Sequence, residues 1–321
     1  IRRQRQMCIR DRSKDIPVSQ FPAKLVLELR SLTRKYYDLT DERSAHINKL
    51  KGDLHTVFPQ YLDVFCDVTG KTSTMILRQY GTPDKILRGH KKTMIEKISK
   101  ASRKGLAKAS ERYEKLCAAA NAAKTFGCQI DSIYFNIFLT LDLVEKLDSA
   151  LDSILNRIRQ LITFNKNEKF IQQIKLLNTI PGVGFLTAVT IMCEIGDFSA
   201  FRNPKQLFAY FGLDPEVNES GKFVGTQLHM SKRGSRIARR AIFAVALASI
   251  RTKRNGEGIN PYLRKYYELK SGQKPKMVAI GAVMHKVCNI VFAVLRDEKA
   301  FELRSPEEHC KQYQRPALAA A

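Results

Sequence analysis

Apolar residues recur at three- and four-residue steps from Leu25 to Val57, through Leu29, Leu32, Tyr36, Leu39, Ile47, Leu50 and Leu54. No other feature of this sequence restricts the fold so strongly. A stripe of that period lies along one face of an α-helix, and over this length it has the character of a coiled-coil seam. The spacing predicts one helix, ended near Pro59 and roughly 50 Å long at 1.5 Å per residue. Arg43 and His46 interrupt the stripe, so strict heptads fail in its middle. A second long stripe covers Asp131 to Leu177, through Leu141, Leu143, Leu147, Leu151, Ile154, Ile158 and Leu161. Two such helices flanking an insert predict either an antiparallel coiled-coil hairpin or arms that pair with a second subunit. Spacing alone leaves both open.

The intervening residues, 61–130, read as a helical insert. Within KTSTMILRQYGTPDKIL a Gly-Thr-Pro-Asp break separates two helices, with Thr82 as N-cap and Pro83 at the first position of the second. The stretch ISKASRKGLAKASERYEKL is helical and basic, either a solvated face or a nucleic-acid contact. Beyond Leu177 the texture changes. In NTIPGVGFLTAVTIMCEIGDFSAF a tight turn, Pro181-Gly182-Val183-Gly184, joins two apolar segments. Helix, glycine turn, helix is the pattern of a helix-hairpin-helix, in which Gly182, Val183 and Gly184 would offer backbone N–H groups to a phosphate. The other reading of this turn is one that only packs two helices.

From Lys222 to Arg254 there are nine Lys or Arg residues and no Asp or Glu. Solvated faces normally mix signs, so this block asks for a polyanion. SRIARRAIFAVALASIR predicts a helix capped by Ser235, with Arg236, Arg239 and Arg240 on one face and Ile237, Ala241, Val245 and Ala248 buried on the other. The whole chain agrees with the block: 321 residues carry a formal charge of +24. Cations gain free energy by displacing counterions from phosphates, so nucleic acid is the expected partner. No apolar run reaches the ~20 residues that span a bilayer, and a cytoplasmic protein without a membrane partner is expected. Seven scattered cysteines, none in a C-x-x-C pair, predict reduced thiols rather than a disulfide framework. The pairs His285/Cys288 and His309/Cys310 lack further ligands at zinc spacing, so no metal site is assigned. His229 and His285 have the side chain of a general base, but structural roles are expected of both.

The stretch NESGKFVGTQLHMSKRGSR, residues 218–236, puts Ser220 before Gly221, in a turn beside these cations. A serine hydroxyl can attack a phosphodiester if it is exposed and the pentavalent phosphorus is surrounded by cations. Arginine suits that task because its fork matches phosphate oxygens. Ser231 and Ser235 are rival nucleophiles whose positions suit capping instead. From spacing alone Ser220 reads equally as an ordinary turn serine.

Taken in order, IPGVGFLTAVTIMCEIGDFSAF, KQLFAYFGLDPEVNESGKF, MSKRGSRIARRAIF, NPYL and PKMVAIGAVMHKVCNIVFAVLRD closely resemble the C-terminal domain of transposases of insertion-sequence family one hundred and ten. The resemblance covers about residues 174–300, and residues 16–173 look like that family's coiled-coil and helical region. It implies a serine transposase that moves DNA through covalent phosphoserine intermediates, guided by an element-encoded bridge RNA, and working as a homodimer or higher oligomer. The family serine lies in an E-S-G triplet, which here is Ser220. Lys222, Lys232, Arg233, Arg236, Arg239 and Arg240 would then hold phosphates around it. The family also carries an N-terminal ribonuclease H-like domain in which four acids bind magnesium. No match for that acidic tetrad is found here, so magnesium is expected only with the absent domain and no ligand is assigned. Activity of the chain without that domain is in doubt, and a non-catalytic binder of DNA or bridge RNA is the alternative. A purely structural coiled-coil assembly protein is disfavoured by the charge block. The expected fold is mainly α: a leader of foreign character over 1–15, a coiled-coil arm over 16–60, the insert over 61–130, a second arm over 131–173, a compact helical domain with a possible short β-hairpin over 174–300, and a tail over 301–321.

Overall fold

The computed structural model describes residues 23–128, 130–216, 219–220, 223–224, 229–305 and 308. The leader over 1–15, Asn218, Gly221 and Lys222 lie outside the described residues, as do Cys8, His309 and Cys310. The fold is mainly α, as expected. It divides into two compact units, one of Arg34–Gln160 and one that joins the chain up to Thr33 with the residues from Leu161 onward.

In the first unit, α1 (Lys24–Val57) and α7 (Asp131–Phe164) run antiparallel over the stretches that belong to it. The Tyr134 hydroxyl donates to the Val57 carbonyl at one end, and Arg43 pairs with the Asp148 carboxylate further along. That pair accounts for the interrupted stripe: the arginine sits at a seam position and the facing helix supplies its acid. The seam of α7 is Tyr134, Ile137, Leu141, Val144, Leu151 and Ile158. Leu143 was expected in it but is 43% exposed, because Val144 occupies the inward position. Period counting cannot choose between adjacent apolar residues.

The insert between these helices is α2 (Tyr61–Val64), α3 (Lys71–Gln79), α4 (Pro83–Arg88), α5 (Lys91–Ser102) and α6 (Leu106–Phe126). The break before α4 forms as its sequence dictates. Thr82 accepts from the Lys85 amide at 3.4 Å, and Pro83 opens the helix. One core joins the insert to the ends of the long helices, with Leu54, Phe58, Tyr61, Ile76, Met94 and Leu116 all at or below 1% exposure. The Tyr61 hydroxyl meets the Ser73 side chain and carbonyl there, and burial pushes its pKa up.

The second unit holds α8 (Lys169–Leu177), α9 (Phe185–Ile195), a short 3₁₀ turn at Phe198–Ala200, α10 (Pro204–Tyr210), α11 (Arg236–Ser249), α12 (Pro261–Ser271) and α13 (Lys276–Asp297). The expected continuous helix to Leu177 is broken after Phe164. There the Asn165 side chain turns back to the Leu161 carbonyl, and the polar run Asn165–Glu168 has no apolar residue to carry the face onward. Helix α9 is buried without a break from Ala188 to Ile195, which makes it the centre of the unit. Helix α13 packs on α8, α10, α11 and α12. It is the one described helix with the length and apolarity of a membrane span, yet 56% of that stretch is buried inside the unit, as a core helix is. Its Cys288 is buried, and His285 packs edge-on against Phe208 with ring centroids 4.6 Å apart. The Arg30 guanidinium of α1 donates to the Cys193 carbonyl at 2.7 Å.

Candidate functional site

Helix α10 starts under an Asn203 cap with Pro204 at its first turn, and ends at Gly212 in the left-handed region, φ 67°. The chain then runs out along 213–216, and it returns along 229–232. The two passes are antiparallel: Pro215 bridges Met230, the Glu216 amide donates to the His229 carbonyl at 2.7 Å, and the Ser231 amide donates to the Asp214 carbonyl at 2.8 Å. Further out, β1 (Glu219–Ser220) pairs with β2 (Phe223–Val224), Ser220 opposite Phe223. Ser220 is the last paired residue of β1.

The base of this hairpin is a crossing of two glycines. A Cβ on Gly234 would lie 2.0 Å from the Tyr210 carbonyl oxygen and 2.8 Å from the Gly212 nitrogen. One on Gly212 would lie 2.5 Å from the Gly234 nitrogen. Only glycine at both positions lets the backbones meet. The Lys232 amide donates to the Gly212 carbonyl at 3.0 Å, and Lys232 itself takes a left-handed φ of 53°. Three residues on, Ser235 caps α11 by accepting from the Ala238 amide at 3.2 Å. The chain that leads to Ser220 and the chain that leads into the arginine helix thus leave from one fixed point.

The basic residues divide by role. Lys232, Arg233 and Arg236 are exposed beside the crossing. Arg239 turns inward, donating to the Gly234 carbonyl at 2.6 Å and the Phe211 carbonyl at 3.2 Å, so it clamps the crossing itself. Arg240 is half-buried. The buried face of α11 is Ala238, Ala241, Ile242, Val245, Ala246 and Ser249. Ile237 and Ala248, expected inside, are half-buried, because the helix is rotated by about one position from the face drawn from periodicity. Arg251, Lys253 and Arg254 are exposed on a turn after α11, where Thr252 bridges Gly258.

Two of the three serines have defined bonds. Ser235 is the cap, as expected. Ser231 is not a cap; its hydroxyl donates to Asp214 Oδ1 at 2.5 Å and ties the two passes of the hairpin together. The turn Pro181–Gly184 does join two helices, and its surroundings show what the glycine does. Gly182 has φ 96°, and a Cβ there would lie 2.5 Å from Ser249 Oγ, while that hydroxyl donates to the Pro181 carbonyl at 3.0 Å. Val183 is buried and Gly184 faces open space as the N-cap of α9. This turn sits at the Ser249 end of α11, ~14–20 Å by helix rise from Arg240, Arg239 and Arg236. The structure therefore does not gather Gly182, Val183 and Gly184 with Arg236, Arg239 and Arg240.

Among the described residues no group of three or more His, Cys, Asp or Glu is placed to hold a metal ion.

Comparison with known proteins bears on the same region. Residues 174–268 match the model of the Transposase IS116/IS110/IS902 family. The "Insertion element IS110 uncharacterized 43.6 kDa protein" of Streptomyces coelicolor is 23% identical over 286 residues, covering 88% of this chain and 66% of that protein. The "Pilin gene-inverting protein" of Moraxella bovis is 30% identical over 177 residues, 55% of this chain and 52% of that protein. The "Transposase for insertion sequence element IS1111A" of Coxiella burnetii is 26% identical over 188 residues, 57% of this chain and 50% of that protein. The chain spans about half to two thirds of the length of these curated relatives.

Proposed function

We propose that this chain is a transposase of the IS110 kind and exchanges DNA strands with Ser220 as the nucleophile. The observation that supports the reading most is the Gly212–Gly234 crossing, which roots the hairpin of Ser220 and the arginine helix at one point. In the proposed step the Ser220 Oγ–phosphorus bond forms as a phosphorus–oxygen bond to deoxyribose breaks. The hydroxyl proton leaves, and the released deoxyribose oxygen gains one. One phosphoester replaces another, so the strand can later be rejoined without an energy-supplying cofactor. Lys222, Lys232, Arg233, Arg236 and Arg240 would neutralise the charge that builds on the phosphorus oxygens. Arg239 would act by holding the crossing, and Gly182, Val183 and Gly184 would contact phosphate at a separate point. DNA ends and target, a bridge RNA, and a dimer or higher oligomer are the partners of this reading. Magnesium would belong to the family's ribonuclease H-like domain.

The test is covalent attachment to a labelled DNA duplex, read as a band that survives denaturing electrophoresis. Wild type is expected to form the adduct, with Ser231→Ala retaining it and Ser220→Ala losing it at nearly unchanged DNA affinity. An adduct on Ser220→Ala would remove Ser220 from the mechanism. Binding without any adduct in wild type would favour the non-catalytic reading.

A further inference from the structure

We infer that the outer face of the α5–α6 hairpin in the first unit is a second nucleic-acid contact surface, one that grips the sugar–phosphate backbone. The charge of that unit is unevenly placed. Over residues 34–60 and 131–160, the long helices carry eight Lys or Arg against nine Asp or Glu. Over 61–130, the insert carries fourteen against six. An ordinary solvated surface would show the first balance throughout.

Ion pairing sharpens the contrast. Two of the insert's acids are already engaged, Asp84 with Lys124 and Glu111 with Lys115, and Arg78 reaches across to Asp142 and Glu145 of α7. From Lys85 to Lys108 there are nine Lys or Arg and one acid, Glu96. None of those nine makes an ion pair among the described residues. Helix α5 buries Met94 and Ile98, which turns Lys92 and Lys100 to the opposite, exposed face with Glu96 between them; Lys97 flanks the buried face and Arg103 follows as the left-handed C-cap, both exposed. Lys104, within the three-residue connection to α6, and Lys108, beyond it, continue the patch, and they too are exposed. Lys97 lies over the Tyr80 ring at 5.6 Å and Lys91 over the Tyr113 ring at 5.9 Å, so both stems are partly fixed in direction.

A patch of this kind repels itself unless something of opposite charge covers it. Helix α5 is ~18 Å long, which matches about five phosphates of one strand at 3.4 Å each. The aromatic rings are covered by lysines instead of standing open for bases. That favours backbone contact without base reading, on a duplex of DNA or RNA. The inference does not depend on Ser220 being a nucleophile.

The experiment is fluorescence anisotropy with the full chain, a 30-bp DNA duplex and a 30-bp RNA duplex, over a series of salt concentrations. The variant replaces Lys92, Lys97, Lys100, Arg103 and Lys104 by Gln, all exposed positions, with retained folding checked by circular dichroism. Affinity is expected to fall at least tenfold on one duplex or both. The slope of log K against log salt should flatten by about 2–4, since each DNA phosphate contact contributes ~0.9. The duplex that shows the effect identifies the source of the phosphates. Unchanged affinity and slope on both overturn the inference. A second readout needs no variant: in wild type, duplex should protect Lys92, Lys97, Lys100 and Lys104 from acetylation, and unprotected lysines at saturating duplex also overturn it. In parallel, Lys232→Gln with Arg233→Gln weakens only the second unit's contacts, so loss of that surface is read separately.

Discussion

Gly234→Ala puts the geometry of the site at risk with a single methyl group. The added Cβ would meet the Tyr210 carbonyl oxygen at 2.0 Å, the Phe211 carbonyl carbon at 2.5 Å and the Gly212 nitrogen at 2.8 Å. All three are backbone atoms, so no side chain can rotate away. Contacts of this kind do not occur below 3.0 Å, and the two passes must part by at least the missing ångström. The Lys232–Gly212 bond starts at 3.0 Å and would be stretched past hydrogen-bonding range. Arg239 bonds both sides of the crossing, so it would lose one of its two carbonyls. Overpacking costs about 1–3 kcal/mol, a lost backbone bond about 0.5–1.5 and a lost bond to a charged group about 1.5–3. These terms overlap, and about 3–4 kcal/mol is expected in sum. For a unit of this size that is a fall of roughly 10 °C in melting temperature, read by calorimetry on the full chain. Gly281→Ala is the control. It lies inside α13 with nothing within 4 Å of the new Cβ, so it should raise stability by about 0.5–1 kcal/mol. If Gly234→Ala melts within about 2 °C of wild type, the crossing is not the constraint argued here.

Thiol accessibility and pH supply two further expectations. Cys66 and Cys128 are exposed, whereas Cys193 and Cys288 are buried; burial pushes the Cys193 thiol up to about 12 and raises Cys288 as well. At pH 8 a thiol reagent should therefore modify Cys66 and Cys128 in the native chain and reach Cys193 and Cys288 only after denaturation, as peptide mapping would show. Burial, with Lys286 adding a smaller effect, holds the His285 imidazole below its ordinary value. Between the folded and unfolded values the unfolded chain binds the extra proton, so the contribution is present above the unfolded value and is lost as pH falls. The melting temperature of wild type relative to His285→Phe should drop as pH is lowered from 7 towards 5; a pH-independent difference would refute the assignment.

What the sequence made legible was local. Thr82 with Pro83, Ser235 before the arginines, and Pro59 after the first stripe act within one helical turn, and each does what its residue type dictates. The misplacements came where two neighbours were equally apolar, as with Leu143 and Val144, or where periodicity resumed after the polar run at Asn165–Glu168. The site was less legible still. Gly212 and Gly234 are twenty-two residues apart, and nothing local marks them as a pair. Arg239 reads in sequence like Arg236 and Arg240, yet it turns inward to two carbonyls. The Ser231–Asp214 bond was hidden for the same reason, and Ser220 stood out through resemblance rather than spacing.

The placement of the arginines carries its own argument. The first turns of α11 hold Arg236, Arg239 and Arg240 with no acid in the first turn. A helix start is the positive end of its dipole, where cations are unfavourable and acids are preferred. Stability alone would put Asp or Glu there, as Asp84 stands in the first turn of α4. Arg239 offsets part of the cost by bonding two carbonyls, and Ser235 offsets another part by capping. The helix start still carries Arg236 and Arg240 and no acid, at the root of the hairpin that carries Ser220. An anion at that position turns the same repulsion into attraction. Under the proposed function, an arriving phosphate is the anion this cluster would serve.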